Sequence, residues 1–348
     1  MPQIGFGIVG CGVIAPIHAD AIGRIPGAKL VAVSDVVEKN VTEMSSRYGA
    51  APYSDYHEML NRDDVHAVSL CVPSGMRLEI AEACAAAGKH ILAEKPIEVN
   101  CARIDKLIAA VDAAGVQLSC IFQYRYADGP MHIRRALDEG RFGKLVLGDA
   151  YIKWYRSQEY YDSGKWRGTR KLDGGGCLMN QGIHQIDMLL WFLGGVASVT
   201  AQTALVGHTG IEVEDLACAT VKFANGAMGV VEGSTAIWPG HPARVEVHGT
   251  EGSAVIEDGE LAMWKFRDER PEDATILAGI DKGATLGSGA SDPIKSLKSE
   301  GHRRQIADFV ESLLTGRPAK IDGREGRRAV EFIEAIYRSA DSGQPVTL

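Results

Sequence analysis

The feature that most constrains this chain is Gly10-Cys11-Gly12-Val13-Ile14-Ala15, set between an apolar run at residues 3–9 and a helical stretch that ends near Pro26 and Gly27. A strand that turns through closely spaced small residues into a helix is the opening of a dinucleotide-binding βαβ unit. Gly10 allows the tight turn, Gly12 lets the backbone approach a pyrophosphate, and Ala15 permits close contact of helix and strand. The alternation then continues. Strands are expected at 29–34, 51–53, 66–72, 90–93 and 116–122, with helices at 38–48, from Ser54, at 76–87 and at 101–114. Such alternation predicts a doubly wound parallel sheet of roughly six strands.

After Tyr124 the pattern changes. Candidate strands at 145–155, 197–206, 216–223, 227–235, 243–248, 253–257 and 261–266 follow one another, and Asn225-Gly226 and Asp258-Gly259 are hairpin turns. The expected fold class is α/β: an N-terminal Rossmann domain over 1–123, then an α+β domain over 124–348 with a large, mainly antiparallel open sheet. The preceding helices can cover only one face of that sheet, so the other is expected to meet another subunit. The polar, Gly- and Ser-rich segment 268–298 is expected to be a long loop, and helices at 303–314 and 324–339 close the chain.

A net charge of -8 and a pI near 5.7 would repel a phosphate backbone, which argues against nucleic acid as a partner. His302-Arg303-Arg304 and Arg324 with Arg327-Arg328 lie among acidic residues and read as a solvated helix face. The seven cysteines are odd in number and lack zinc spacing, which fits free thiols in a reducing compartment. The first strand starts almost at Met1, leaving no room for an export leader, and no apolar run reaches membrane-spanning length; a cytoplasmic location is expected.

Three further patterns carry chemistry. Asp35 ends the second strand, where a carboxylate accepts hydrogen bonds from an adenosine ribose and repels a 2'-phosphate, favouring NAD over NADP. Only Lys39 and Arg77 stand as cations that could neutralise such a phosphate. Lys95, in Ala93-Glu94-Lys95-Pro96, ends a strand at the sheet edge where ligands of parallel sheets bind. Asn180, His184 and Asp187 are expected on one face of a single helix from Cys177 to Leu193, after Asp173-Gly174-Gly175-Gly176. Trp166-Arg167-Gly168-Thr169, with Tyr160, Tyr161 and Arg156, forms a loop of aromatics and cations suited to a hydroxylated ring. No metal is implied, since His184 and Asp187 lack a convincing set of co-ligands.

With the glycine loop, Glu94-Lys95-Pro96 and Asn180-Gln181-Gly182-Ile183-His184 in that order, the chain resembles the glucose-fructose oxidoreductase, inositol dehydrogenase and MocA family over nearly its whole length. Gly88-Lys89-His90, the triple glycine at 174–176 and His248-Gly249-Thr250-Glu251-Gly252 strengthen the likeness. The resemblance implies hydride transfer between NAD and a ring secondary alcohol of a sugar, sugar acid, nucleotide sugar or cyclitol, in a homodimer or homotetramer built through the second sheet. Lys95 and His184 match the family's catalytic pair. To Gly10, Cys11, Gly12, Val13, Ile14 and Asp35 the resemblance adds Pro73, Glu94, Lys95, Gln123, Trp166 and Arg167 as cofactor residues. Tyr155, Tyr161 and Asn180 join Lys95 and His184 on the substrate side. There are two departures: inositol dehydrogenases have aspartate where this chain has Asn180, and relatives often have histidine in place of Arg77. Asn180 with Tyr160-Tyr161-Asp162 and the Trp166 loop looks more like the branch containing UDP-N-acetylglucosaminuronate 3-dehydrogenases. Two other readings stay open: a regulatory protein that binds NAD and sugar without turnover, and a glycoside hydrolase that uses NAD transiently.

Overall fold

The structure is a computed structural model and describes residues 3–279 and 299–348. The first sheet contains β1 (Ile4–Val9), β2 (Ala28–Ser34), β3 (Ala51–Tyr53), β4 (Ala67–Leu70), β5 (His90–Ala93) and β6 (Leu118–Cys120). They are ordered β3-β2-β1-β4-β5-β6 and every neighbouring pair is parallel. Order reverses between β1 and β4, the switch point at which a doubly wound sheet opens a crevice. Local signals set the boundaries. Helix Glu38–Tyr48 stops at Gly49 and helix Cys101–Ala114 at Gly115, both in the left-handed region, and Asn100 caps the latter through the Arg103 N–H.

The second sheet contains β7 (Leu145–Lys153), β8 (Val196–Ala204), β9 (Leu216–Phe223), β10 (Met228–Ser234), β11 (Arg244–Gly249), β12 (Gly252–Glu257), β13 (Glu260–Phe266) and β14 (Val346–Thr347). Its order is β13-β12-β11-β7-β10-β9-β8-β14, antiparallel throughout except where β10 lies parallel to β7. Helix Ile183–Leu193 packs on one face, with Leu193 lying where a side chain at Gly148 would be. Along β9 alternate residues are buried and exposed, as a sheet covered on one face requires. No helix among the described residues is long and apolar enough to cross a membrane.

The chain divides into two compact units, Met1–Gln123 with Lys298–Arg327, and Tyr124–Leu297 with Arg328–Leu348. A continuous second domain over 124–348 is thus interrupted by a return to the first unit. The cause is apolar: Ile306, Phe309 and Val310, on helix Ser299–Thr315, join Phe6, Ile8, Ala19 and Ile22 in one buried cluster. Phe309→Ala is expected to cost about 3–5 kcal/mol through the cavity it leaves. Denaturant unfolding followed by the cofactor-binding signal of the first unit measures that loss, and a loss under about 1 kcal/mol would contradict a core role for this helix.

Two other expectations change. The polar stretch from Asp268 contains a helix, Pro271–Ala278, stitched to the sheet by Asp273, which accepts from Arg141 Nη2 at 2.7 Å and Trp264 Nε1 at 2.7 Å; residues 280–298 of that stretch lie outside the described residues. His302 does not sit on a solvated face but is 1 % exposed.

Candidate active site

In a parallel sheet all carboxyl ends lie along one edge, and here that edge carries those residues read as cofactor contacts that belong to the first unit, whereas Trp166 and Arg167 belong to the second. Gly10 follows β1, Asp35 follows β2, Pro73 lies past β4, Glu94 and Lys95 follow β5, and Gln123 lies past β6. Gly10 has φ +91°, and a Cβ there would lie 2.7 Å from the Cys71 carbonyl oxygen, so only glycine fits. A Cβ built on Gly12 meets nothing within 4 Å, so open space lies against its backbone. Asp35 Oδ2 accepts from the Cys11 N–H at 2.6 Å and Oδ1 from the Val37 N–H at 2.8 Å, leaving each oxygen a further lone pair. Val13 and Val36 are exposed at 60 % and 90 %, an apolar rim beside the loop and the Asp35 carboxylate. The Cys11 thiol is buried, and burial, with the Asp35 charge second, pushes it up to about 12, so it packs rather than reacts.

Lys95 is half-buried and its peptide bond to Pro96 is cis. Glu94, expected among the cofactor contacts, has its carboxylate hydrogen-bonded inside the unit. Oε1 accepts from His18 Nε2 at 2.8 Å and lies 3.4 Å from His302 Nε2, while Oε2 accepts the Lys95 N–H at 3.1 Å. Burial alone would raise this carboxyl; the two imidazoles outweigh it and hold it well below the usual range. Burial lowers His18, so it stays neutral, donating from Nε2 while Nδ1 accepts from Ser69 Oγ at 2.7 Å. One ligand atom each from His18, Glu94 and His302 lies within 4.8 Å of the others, a spacing that could also hold a metal ion, although hydrogen bonds already account for His18 and Glu94. Arg77 is 4 % exposed and donates to the carbonyls of Val72, Glu94 and Pro96.

The second unit holds His184, Asn180 and the aromatic loop. The expected single helix is broken: Cys177–Gln181 is one π-helical turn, and an α-helix runs over Ile183–Leu193. Glu214 explains the break, because its Oε2 accepts from the Gly176 N–H at 2.9 Å and its Oε1 from the Leu178 N–H at 3.0 Å, capping the turn from outside. Gly176 must be glycine, since a Cβ would lie 1.8 Å from the Glu214 carbonyl oxygen. The three polar residues consequently do not share one regular helical face.

Asp187 is taken up by a buried ion pair with Arg125 at 2.6 Å. His184 is 8 % exposed with its ring 4.9 Å from that of Tyr124. The Asn180 amide donates to Asp173, and its Oδ1 accepts from Gln181 Nε2 at 2.8 Å. Gln181 also meets Arg156 Nε at 3.0 Å and the Tyr160 hydroxyl at 2.9 Å, which Arg167 Nη1 reaches at 2.7 Å. Arg167 lies 4.2 Å and 4.4 Å over the Tyr160 and Trp166 rings. Tyr161, read as a substrate contact, is packed inward: its hydroxyl bonds Thr235 at 2.8 Å and burial raises it. Tyr160 carries the hydroxyl that enters the polar network. Tyr155 meets the exposed Trp238 edge-on at 5.0 Å.

Sequence reasoning passed over His18 and Glu214, and placed His302 on a solvated helix face although it is buried. A signal existed for the histidines: Ala15, His18, Ala19 and Ile22, and His302, Ile306 and Phe309, each follow a helical apolar stripe. A histidine within such a stripe is buried and must be hydrogen-bonded. Glu214 had no signal, since it caps a turn 38 residues earlier in the chain.

An open doubly wound sheet with a glycine loop at its switch point, followed by a mixed sheet domain, defines a class of nicotinamide-binding oxidoreductases. The chain belongs to the GFO/IDH/MocA oxidoreductases: the family described as "Oxidoreductase family, NAD-binding Rossmann fold" matches residues 4–122, and the "GFO/IDH/MocA C-terminal domain" matches 131–255. It is 31 % identical to the WlbA dehydrogenase from Bordetella pertussis, solved in complex with NADH and UDP-GlcNAcA, covering 100 % of this chain and 98 % of that one with a TM-score of 0.90. It is 27 % identical to the myo-inositol 2-dehydrogenase of Thermotoga maritima over 98 % of both chains. It is 26 % identical to the levoglucosan dehydrogenase of Pseudarthrobacter phenanthrenivorans over 98 % of this chain and 97 % of that one.

Proposed function

We propose that this protein is an NAD-dependent dehydrogenase that oxidises a ring secondary alcohol of a sugar derivative or cyclitol, or reduces the matching ketone. The observation that carries the reading is the single sheet edge on which the open Gly12 backbone, the Asp35 carboxylate and Lys95 follow three parallel strands. Bound nicotinamide supplies hydride acceptance at C4. Lys95 hydrogen-bonds the reacting oxygen and stabilises its developing negative charge, and His184 takes the hydroxyl proton. Asn180, fixed by Asp173 and Gln181, orients the ring.

An acidic ring compound, a sugar acid or nucleotide sugar, is the favoured class within this reading. The segment 156–171 carries Arg156, Lys165, Arg167, Arg170 and Lys171 against only Glu159 and Asp162, and a likeness to a chain that binds UDP-GlcNAcA supports the same choice. The test is a panel of neutral and carboxylated sugars, cyclitols and nucleotide sugars with NAD, read by absorbance of reduced cofactor. Turnover of the acidic members above the neutral ones is expected; glycoside cleavage with no net reduced cofactor would overturn the reading. Self-association through the open face of the second sheet belongs to the same proposal and is read by light scattering.

The cofactor preference follows from charge. Asp35 repels a 2'-phosphate, Arg77 is occupied by three carbonyls, and Lys39 is 80 % exposed on a surface helix beside Glu43. NAD is expected to bind at least about tenfold more tightly than NADP, a difference of about 1.4 kcal/mol. Titration of both cofactors into the protein checks it, and equal affinities would refute it.

A further inference from the structure

We propose that Glu94 and Arg77 form a clamp that positions Lys95, with His18 and His302 holding the clamp's carboxylate in place. The inference rests on the reading of Lys95 as the residue that meets the reacting oxygen. Past the bond from the Glu94 N–H to the Leu70 carbonyl at 3.2 Å, which ends the pairing of β5 with β4, the segment that carries Lys95 needs other hydrogen bonds to hold one conformation. Three come from the cluster: the Lys95 N–H donates to Glu94 Oε2, and the carbonyls on both sides, of Glu94 and Pro96, accept from Arg77. Arg77 also reaches the Val72 carbonyl with Nη2 at 2.9 Å and Nε at 3.2 Å, tying the segment after β4 to the segment after β5.

The far side of the clamp is fixed by three more elements. His18 comes from the helix after the glycine loop, Ser69 from β4 and His302 from helix Ser299–Thr315, and all three are buried. Among the described residues Nδ1 of His302 has no hydrogen-bond partner, while its Nε2 faces Glu94 Oε1. The Arg77 cation lies near two buried carboxylates, Glu94 and Glu98, the second of which is also paired with Arg103 at 3.0 Å. A guanidinium is suited to the task because its planar fork serves three carbonyls at once, which an ammonium cannot do in that geometry.

The test uses the full-length protein with four variants: Glu94→Ala, Arg77→Lys, and each combined with Lys95→Ala. Each single variant is expected to lower kcat by about 10²-fold, the scale of a catalytic group displaced by about 1 Å, while the KM for NAD changes less than about threefold. In the Lys95→Ala background the same substitutions should change kcat less than about twofold, since a positioning residue has nothing left to position. Equal losses in both backgrounds, or a KM for NAD that rises in step with the fall in kcat, would overturn the clamp. Arg77→Lys keeps the buried positive charge and serves where Glu94→Ala does not fold. Hydrogen exchange gives a substrate-independent reading: the Lys95 amide should exchange at least about tenfold faster in the clamp variants while the Ile91 and Leu92 amides stay protected. An unchanged Lys95 amide overturns the clamp even if turnover falls. Near-normal turnover in Lys95→Ala alone, with a faster Lys95 amide in the clamp variants, would instead sink the catalytic reading and leave the clamp standing.

Discussion

Lys95→Ala is expected to lower kcat by about 10²–10³-fold, the usual loss when a donor to a developing oxyanion is removed from a site shielded from water. NAD affinity is expected to fall much less than kcat, because on the proposed reading the glycine loop and Asp35, which follow other strands, supply contacts to the cofactor that do not depend on Lys95. Lys95→Arg is not expected to restore activity, since a planar fork cannot occupy the place of a compact ammonium. Steady-state kinetics on the best panel substrate, paired with an NAD titration, separate the two quantities. A variant that keeps NAD binding and turns over within about threefold of the wild type would remove Lys95 from the chemistry.

The second large effect concerns Asn180. Its amide donates to the Asp173 carboxylate, which is 3 % exposed and also accepts from the Gly168 N–H at 2.8 Å. The Asn180→Asp variant would set two carboxylates against each other where one donor–acceptor pair now stands, so one of the two must have its pKa raised in the folded state. The sign follows. A raised folded pKa contributes stability below the unfolded value near 3.9 and loses it as pH rises through the folded value, so the variant's deficit should be small near pH 4 and full at pH 7.5. A penalty of about 1–3 kcal/mol at neutral pH is expected. Thermal melts of both proteins across that range test it; a gap that is absent at pH 7.5, or that does not shrink on acidification, would mean that Asp173 and Asn180 are not paired.

Much of the first unit was legible because its signals are local. Helix Glu38–Tyr48 and strand His90–Ala93 run where the periodicity puts them, since Gly49, Gly88 and the apolar run of β5 act within a few residues of the boundaries they set. The same holds for the hairpins at Asn225-Gly226 and Asp258-Gly259, which join β9 to β10 and β12 to β13. What was not legible depends on partners distant in the chain. Cys177 to Leu193 has a helical composition throughout, yet Glu214 turns its first part into a π turn. Glu94 looks like an exposed acid beside a lysine until His18 and His302 arrive from 76 and 208 residues away. Such contacts have no period to read. A polar residue inside an apolar stripe is the trace they leave, and that trace gives the need for a partner without giving its name.

The return of Lys298–Arg327 to the first unit bears on how the protein is made. Phe309 and Val310 complete an apolar layer that includes Phe6, Ile8, Ala19 and Ile22, which are synthesised almost first. At about 5–20 residues per second, roughly 10–40 s separate Gln123 from Val310 on the ribosome. Through that interval the nascent nucleotide-binding unit presents an uncovered hydrophobic face, and its Glu94 lacks one of its two histidines. Its cofactor edge should become competent only when nearly the whole chain has emerged, which couples NAD binding to the integrity of the C-terminal segment.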